Sequence, residues 1–128
     1  MTTPEQQKKQ ALFWLEYSQQ LSNSIRYVEA LRAVQRAIAL DELNAEAWYA
    51  QGTCYAMLAN YEEALTNFEH ALQLDETNVQ AWDGKAWVLG ILGRHDEAVM
   101  AVDYALQLDP DYREAKQRKK RLQAFQNE

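Results

Sequence analysis

Apolar side chains recur along this chain at spacings of three and four, over long stretches with few breakers. The run Tyr61–Leu74 places Tyr61, Ala64, Leu65, Phe68, Ala71, Leu72 and Leu74 on one face of a helix. Asn60 stands at its start with Glu63 three residues on, the arrangement of a capping box. A helix also reads from Ala45, with Asn44 as N-cap and Trp48, Gly52, Cys54 and Tyr55 on one flank. The polar stretch Asp75-Glu76-Thr77-Asn78 turns the chain into the next unit. Residues 79–112 repeat the two-helix pattern with Trp82, Ala86, Leu89, Ala98, Val102 and Ala105, ending at Asp109-Pro110. Residues 11–44 repeat it with Trp14, Ser18, Leu21, Ala30, Val34 and Ala37.

The recurrence has a fixed period: Trp14, Trp48 and Trp82 stand 34 residues apart. Alanines follow in the same register at 30, 64 and 98, and again at 37, 71 and 105. Leu40, Leu74 and Leu108 are each followed by an aspartate. Such a period marks a stacked helical repeat. Ser18, Gly52 and Ala86 share one position in the first helix of each unit, facing Ala30, Ala64 and Ala98 from the second. Small side chains there let two helix axes approach closely. A single helical hairpin cannot bury its apolar face alone, whereas three in register make a continuous core.

The ends look like caps. Thr3-Pro4-Glu5-Gln6 supplies an N-cap, a first-turn proline and a capping-box glutamine, which predicts a first helix beginning near Pro4 and longer than its counterparts. After Asp111, with Glu114 at the capping-box position, residues 113–126 read as a seventh helix. Its apolar residues are sparse: Ala115, Leu122 and Phe125. That suits a helix covering the last repeat with one face and meeting water with the other. The reading is one domain over residues 1–128, with repeats at 11–44, 45–78 and 79–112 and a capping helix at 113–126.

Composition agrees with a folded helical chain: 48% of residues are hydrophobic, too many for disorder, and only 4 Gly and 2 Pro interrupt 128 residues. Cys54 is the single cysteine, so no internal disulfide forms, and its place at a helix contact suits a small buried hydrophobe. The polar N-terminus lacks the apolar core of a secretory signal. No apolar run approaches the ~20 residues that cross a bilayer. A cytoplasmic location is the expectation.

Charge is unevenly distributed. Residues 1–112 carry 7 Lys+Arg against 17 Asp+Glu, a net of −10, while residues 113–128 carry a net of +4. An acidic body argues against a nucleic-acid scaffold. The run Lys116–Arg121 invites a nucleic-acid or anionic-membrane reading. Without interleaved aromatics it reads better as a solvated helix face whose cations complement the helix dipole and the acidic repeats. No catalytic constellation is visible. His70 and His95 lie in different repeats with no partner at metal-ligand spacing, and no phosphate loop or nucleophile motif occurs. No enzymatic activity, cofactor or metal is expected.

With these positions in view, the chain resembles the tetratricopeptide repeat (TPR) family. The pattern W-x2-L-G-x2-Y…A-x3-F…A…P falls on Trp48, Gly52, Tyr55, Ala64, Phe68 and Ala71, and on Trp82, Ala86, Leu89, Ala98, Val102, Ala105 and Pro110. The usual leucine before the glycine is Tyr17, Gln51 or Lys85, and Glu42 and Glu76 replace the turn proline. Ile25 stands where a glycine or other small residue is usual, which predicts a deviating turn at Ser22-Asn23-Ser24. The resemblance implies an all-α fold, a right-handed superhelix of three helix-turn-helix units with a capping C-terminal helix. It also implies a non-enzymatic protein-interaction module that binds a protein or peptide segment on a concave face lined by the first helix of each repeat.

By register, that face comprises Leu15 and Gln19; Glu46, Tyr49, Thr53, Ala56 and Met57; and Asp83, Trp87, Gly90 and Ile91. Trp87 lies five residues beyond Trp82, outside the repeated core register. There it serves either as a binding anchor beside Tyr49 and Met57 or as ordinary core, and the groove position favours the anchor. Glu46 and Asp83 favour a basic or apolar partner. Chaperone-binding members of the family grip a C-terminal carboxylate with Lys, Asn and Arg. The matching positions here are Leu15, Gln19, Ala50, Gln80 and Gly84, none of them basic, so no such clamp is expected. The alternative reading is a structural assembly adaptor that self-associates through its terminal helices.

Overall fold

The computed structural model describes residues 2–126 and contains, among them, seven α-helices and no strand. They are α1 (Pro4–Asn23), α2 (Tyr27–Leu40), α3 (Ala45–Met57), α4 (Tyr61–Leu74), α5 (Val79–Ile91), α6 (His95–Leu108) and α7 (Arg113–Gln126). Contacts reach no further than two helices along the chain, which is the behaviour of a solenoid. Helices α1, α3 and α5 each pack most heavily on the even helix after them, and α7 on α6 before it. Odd helices also touch the next odd helix (α1 on α3, α3 on α5, α5 on α7). No two even helices do so among the described residues. The odd helices therefore line the inner curve. No helix among the described residues is long and apolar enough to cross a membrane.

Local chemistry accounts for the helix ends. The capping box Thr3–Gln6 forms in both directions, and Pro4 opens α1. Asn44 and Asn78 accept from the backbone N–H of Glu46 and Ala81. Asn60 makes no capping bond with its side chain, and the box expected with Glu63 is absent. The reason lies in the preceding turn: the Asn60 backbone N–H already donates to the Tyr55 carbonyl at 2.8 Å, so Glu63 has no orphan donor to satisfy. The start of α7 also differs from expectation. Lys116 N–H donates to the Tyr112 carbonyl, which puts Tyr112, not Asp111, at the helix edge.

The turn inside each repeat is a Schellman motif in all three units. The N–H groups of Arg26, Asn60 and Arg94 reach back to the carbonyls of Leu21, Tyr55 and Leu89 at 2.8–2.9 Å. Such a turn needs one left-handed residue, and Ile25 (φ 62°), Ala59 (φ 63°) and Gly93 (φ 80°) supply it. The first turn thus does not deviate, and Ile25 adopts the strained backbone. The aspartates that follow Leu40, Leu74 and Leu108 also gain a role. Their Oδ1 atoms accept from the N–H two residues on, at Leu43, Thr77 and Asp111, closing an Asx turn between repeats.

Packing follows the small residues. Phe68 is fully buried between α3 and α5. A Cβ added to Gly52 would meet its ring at 2.8 Å, and one added to Gly84 at 2.9 Å. The ring fills the space two glycines vacate. The 34-spaced tryptophans are only partly buried and stack on one register of the second helices. Arg36 sits 4.6 Å over Trp14, His70 stacks on Trp48 at 3.8 Å, and Tyr104 stacks on Trp82 at 4.6 Å. Trp48 and Trp82 donate their indole N–H to the carbonyls of Glu42 and Glu76, both at 2.8 Å.

Candidate functional site

The inner curve is built from α1, α3, α5 and α7, and the expected groove residues divide there into three groups. Gln19, Glu46, Met57 and Ile91 are exposed. Tyr49, Thr53, Trp87 and Gly90 are half-buried, with the Thr53 hydroxyl turned back onto the Tyr49 carbonyl at 3.1 Å. Leu15, Ala56 and Asp83 are buried. Leu15, 3% exposed, packs with Val34, Ala37 and Ala47 and lines no groove.

Asp83, 6% exposed, cannot meet a ligand either, because Arg118 of α7 holds it through Nε at 2.7 Å and Nη2 at 3.1 Å. A carboxylate this buried is stable only when paired and hydrogen-bonded, and the guanidinium fork does both. Leu15, Tyr49 and Asp83 share one repeat register, and that register is the seam between successive odd helices. The charge preference expected from Glu46 and Asp83 therefore rests on Glu46 alone.

The C-terminal helix enters the site. Arg118 continues the register of Ala50 and Gly84, and Arg121 that of Gln19, Thr53 and Trp87. Extending the period past residue 112 would have found both. Of the six cations of this helix, Lys116, Arg118 and Lys119 pair with Asp111, Asp83 and Asp103. These contacts pair half of those cations with acids of the repeats and the preceding turn, whereas no cation stands in the last turn of α7, where it would complement the helix dipole. Between α5 and α7 lies a cavity of about 240 Å³, walled chiefly by Trp87, Ile91, Leu122, Phe125 and Arg121. His95 closes one side and stacks on Phe125 at 4.0 Å. Trp87 packs its body on the core and also lines this cavity.

Two hydroxyls near the Asp83–Arg118 pair are perturbed. Burial pushes Tyr49 up, and burial with the nearby Tyr49, Glu114 and Asp83 pushes Tyr112 up to about 12. Both remain neutral donors at ordinary pH. Burial also pushes the Cys54 thiol up, as befits a side chain 1% exposed in the core.

Family models of the tetratricopeptide repeat match residues 45–78 and 79–112, together just over half of the chain, which belongs to the tetratricopeptide repeat family. Comparison with curated proteins gives no match. Among solved structures, the Arabidopsis OM64 TPR domain superposes with a TM-score of 0.88 at 23% identity, covering 91% of this chain and 96% of that one. The first TPR of Spaghetti (RPAP3), bound to the HSP90 peptide SRMEEVD, gives 0.91 at 18% identity over 94% of this chain and 96% of that one. A crystal structure of MamA gives 0.85 at 19% identity, covering 97% of this chain and 77% of that one. At these identities the likeness is one of fold.

Proposed function

We propose that the chain is a non-enzymatic interaction module holding a segment of another protein along its inner curve. Trp87, Ile91 and Met57 act as apolar anchors, and Gln19, Glu46, Tyr49 and Thr53 lie along the path. The carrying observation is the cavity between α5 and α7, where the register that holds Gln19 and Thr53 in earlier repeats turns to Trp87. An apolar side chain of the partner fits it, and hot spots concentrate at such half-enclosed aromatic anchors. Glu46 at one end and Arg121 at the other would read the segment's charges.

Family membership supports the general reading, as do fold neighbours solved with HSP90 or HSP70 peptides. The mode differs from a carboxylate clamp. Leu15 is buried, and Gln19, Ala50, Gln80 and Gly84 bring no cation, so the partner is not gripped by a terminal carboxylate at those positions. The test is a peptide-display selection on the full chain. Ile91→Glu, at an exposed position, should weaken the selected inner-face peptides tenfold or more at an unchanged melting temperature. Unchanged affinity would defeat the groove assignment.

One observation favours self-association as a second reading. Ala47, Ala81 and Ala115 are buried where each odd helix meets the preceding repeat, but Phe13 at that register is 60% exposed. Sedimentation showing a concentration-dependent dimer that Phe13→Glu abolishes would favour it.

A further inference from the structure

The outer edge of α6 departs from the repeat. Where earlier repeats carry Arg32 and Thr66, α6 carries Met100; where they carry Arg36 and His70, it carries Tyr104. Met100 is 66% exposed, Tyr104 51% and Leu108 41%. Spaced by four residues, the three form a stripe on the order of 12 Å long along one helix flank. Trp82 lies beside it, stacked on Tyr104 with ring planes 12° apart. Hollows of about 240 and 520 Å³ open on either side of that pair, the first reaching Met100 and Lys85, the second Leu108 and Thr77. Leu108 is the leucine of every repeat, but the architecture does not require apolar residues at Met100 and Tyr104, since repeats one and two carry Arg32 and Thr66 at the first position and place Arg36 and His70 over the tryptophan at the second. A contiguous exposed apolar patch without a structural purpose marks an interaction surface.

The rim specifies the occupant. Glu97 and the one cation, Lys85, border the first hollow and Glu76 the second, while Glu69 lines a neighbouring hollow with Lys85 and Glu76. Lys85 lies 3.5 Å from Glu69, and Glu97 is held by Arg94 at 2.7 Å. Glu76 has no ion pair among the described residues. We infer that Met100, Tyr104, Leu108 and Trp82 form a second docking surface, on the outer helices and apart from the inner curve. Its partner is an amphipathic helix of another protein whose apolar stripe is flanked by lysine or arginine. Ridges at four-residue spacing on α6 accept the matching ridges of a second helix. A second copy of this chain fits less well. Its basic helix is α7, whose apolar Ala115 and Leu122 are already buried against its own repeats, and the exposed Phe125, stacked on His95, makes no stripe by itself. Together with an inner-face segment, such a surface would let one chain hold two proteins.

The test displays helical peptides with a fixed leucine stripe and randomised flanks against the full chain. Selected peptides should carry Lys or Arg at the flanks. Met100→Arg with Tyr104→Arg should raise their Kd tenfold or more, while Ile91→Glu changes it less than twofold. These arginines are the residues of the first repeat, where Arg36 sits over Trp14, so the fold is retained. Met100→Thr with Tyr104→His, the residues of the second repeat, gives an independent variant pair. The inference is overturned if nothing is selected, if the flanks come out acidic or neutral, or if binding ignores both pairs. A wild-type dimer that both pairs dissociate would overturn it too, by making a second copy the occupant. Loss of binding on Ile91→Glu alone would point to the inner curve and leave the outer surface without support.

Discussion

Ile25 carries the clearest local conflict between side chain and backbone. A left-handed conformation costs an L-residue roughly 1–2 kcal/mol, with the β-branched residues worst placed. Glycine removes that cost but adds about 0.4–1 kcal/mol of chain entropy to the unfolded state. The balance favours the folded protein. Ile25→Gly should therefore stabilise by about 0.5–1 kcal/mol, read as a higher denaturant midpoint at unchanged slope. Gly93 already holds this register with nothing near its absent Cβ, so the turn tolerates the change. A lower midpoint would mean that Ile25, 73% exposed, makes a contact that the backbone argument omits. The Schellman hydrogen bonds explain why the turn keeps its shape with the wrong residue. Each satisfies a carbonyl at the end of an odd helix, and isoleucine bends to that demand.

Between helices, volume is conserved across the seam more closely than residue type. Phe68 stands against Gly52 and Gly84, whereas Val34 has Ser18 and Ala50 at the same two registers; the last unit departs, since Val102 has Ala86 and the large Arg118, whose guanidinium holds Asp83. A large ring and two missing side chains occupy about the space of a valine and two small ones. Gly84→Ala should thus destabilise by ~1–3 kcal/mol, although alanine gains ~1 kcal/mol in helix propensity. The added Cβ meets a ring enclosed on both sides, which has nowhere to move. In a Phe68→Val background the same change should become neutral or stabilising. A double-mutant cycle measures the coupling, and additive effects would show that the ring is free to shift.

At the scale of the whole molecule, the 34-residue period made the helices, their pairing and most of the buried positions legible, because each repeats a core position three times. The site was legible only in part. Register says which face of a helix a residue occupies but not what lies over it, and so it placed Leu15 and Asp83 in a groove that neighbouring helices close. The Asp83–Arg118 pair joins residues 35 apart on two helices, and no periodicity within one helix reveals it. Its consequence is that α7 covers apolar surface and neutralises a buried charge at once. Deleting residues 113–128 should therefore do more than remove a solvated tail. It uncovers the face where Ala115 and Leu122 join the core cluster that holds Val88, Leu89, Ala98 and Val102, and it leaves Asp83 without its cation. The truncated chain should melt lower and sediment as concentration-dependent oligomers. Arg118→Ala in the full chain separates the two effects. It keeps the apolar cover but breaks a buried pair, a loss that typically costs ~3–5 kcal/mol, so it should melt lower while staying monomeric. If the truncated chain remained a monomer with the wild-type melting temperature, α7 would be a free basic arm, and the cavity it forms with α5 would not exist in solution.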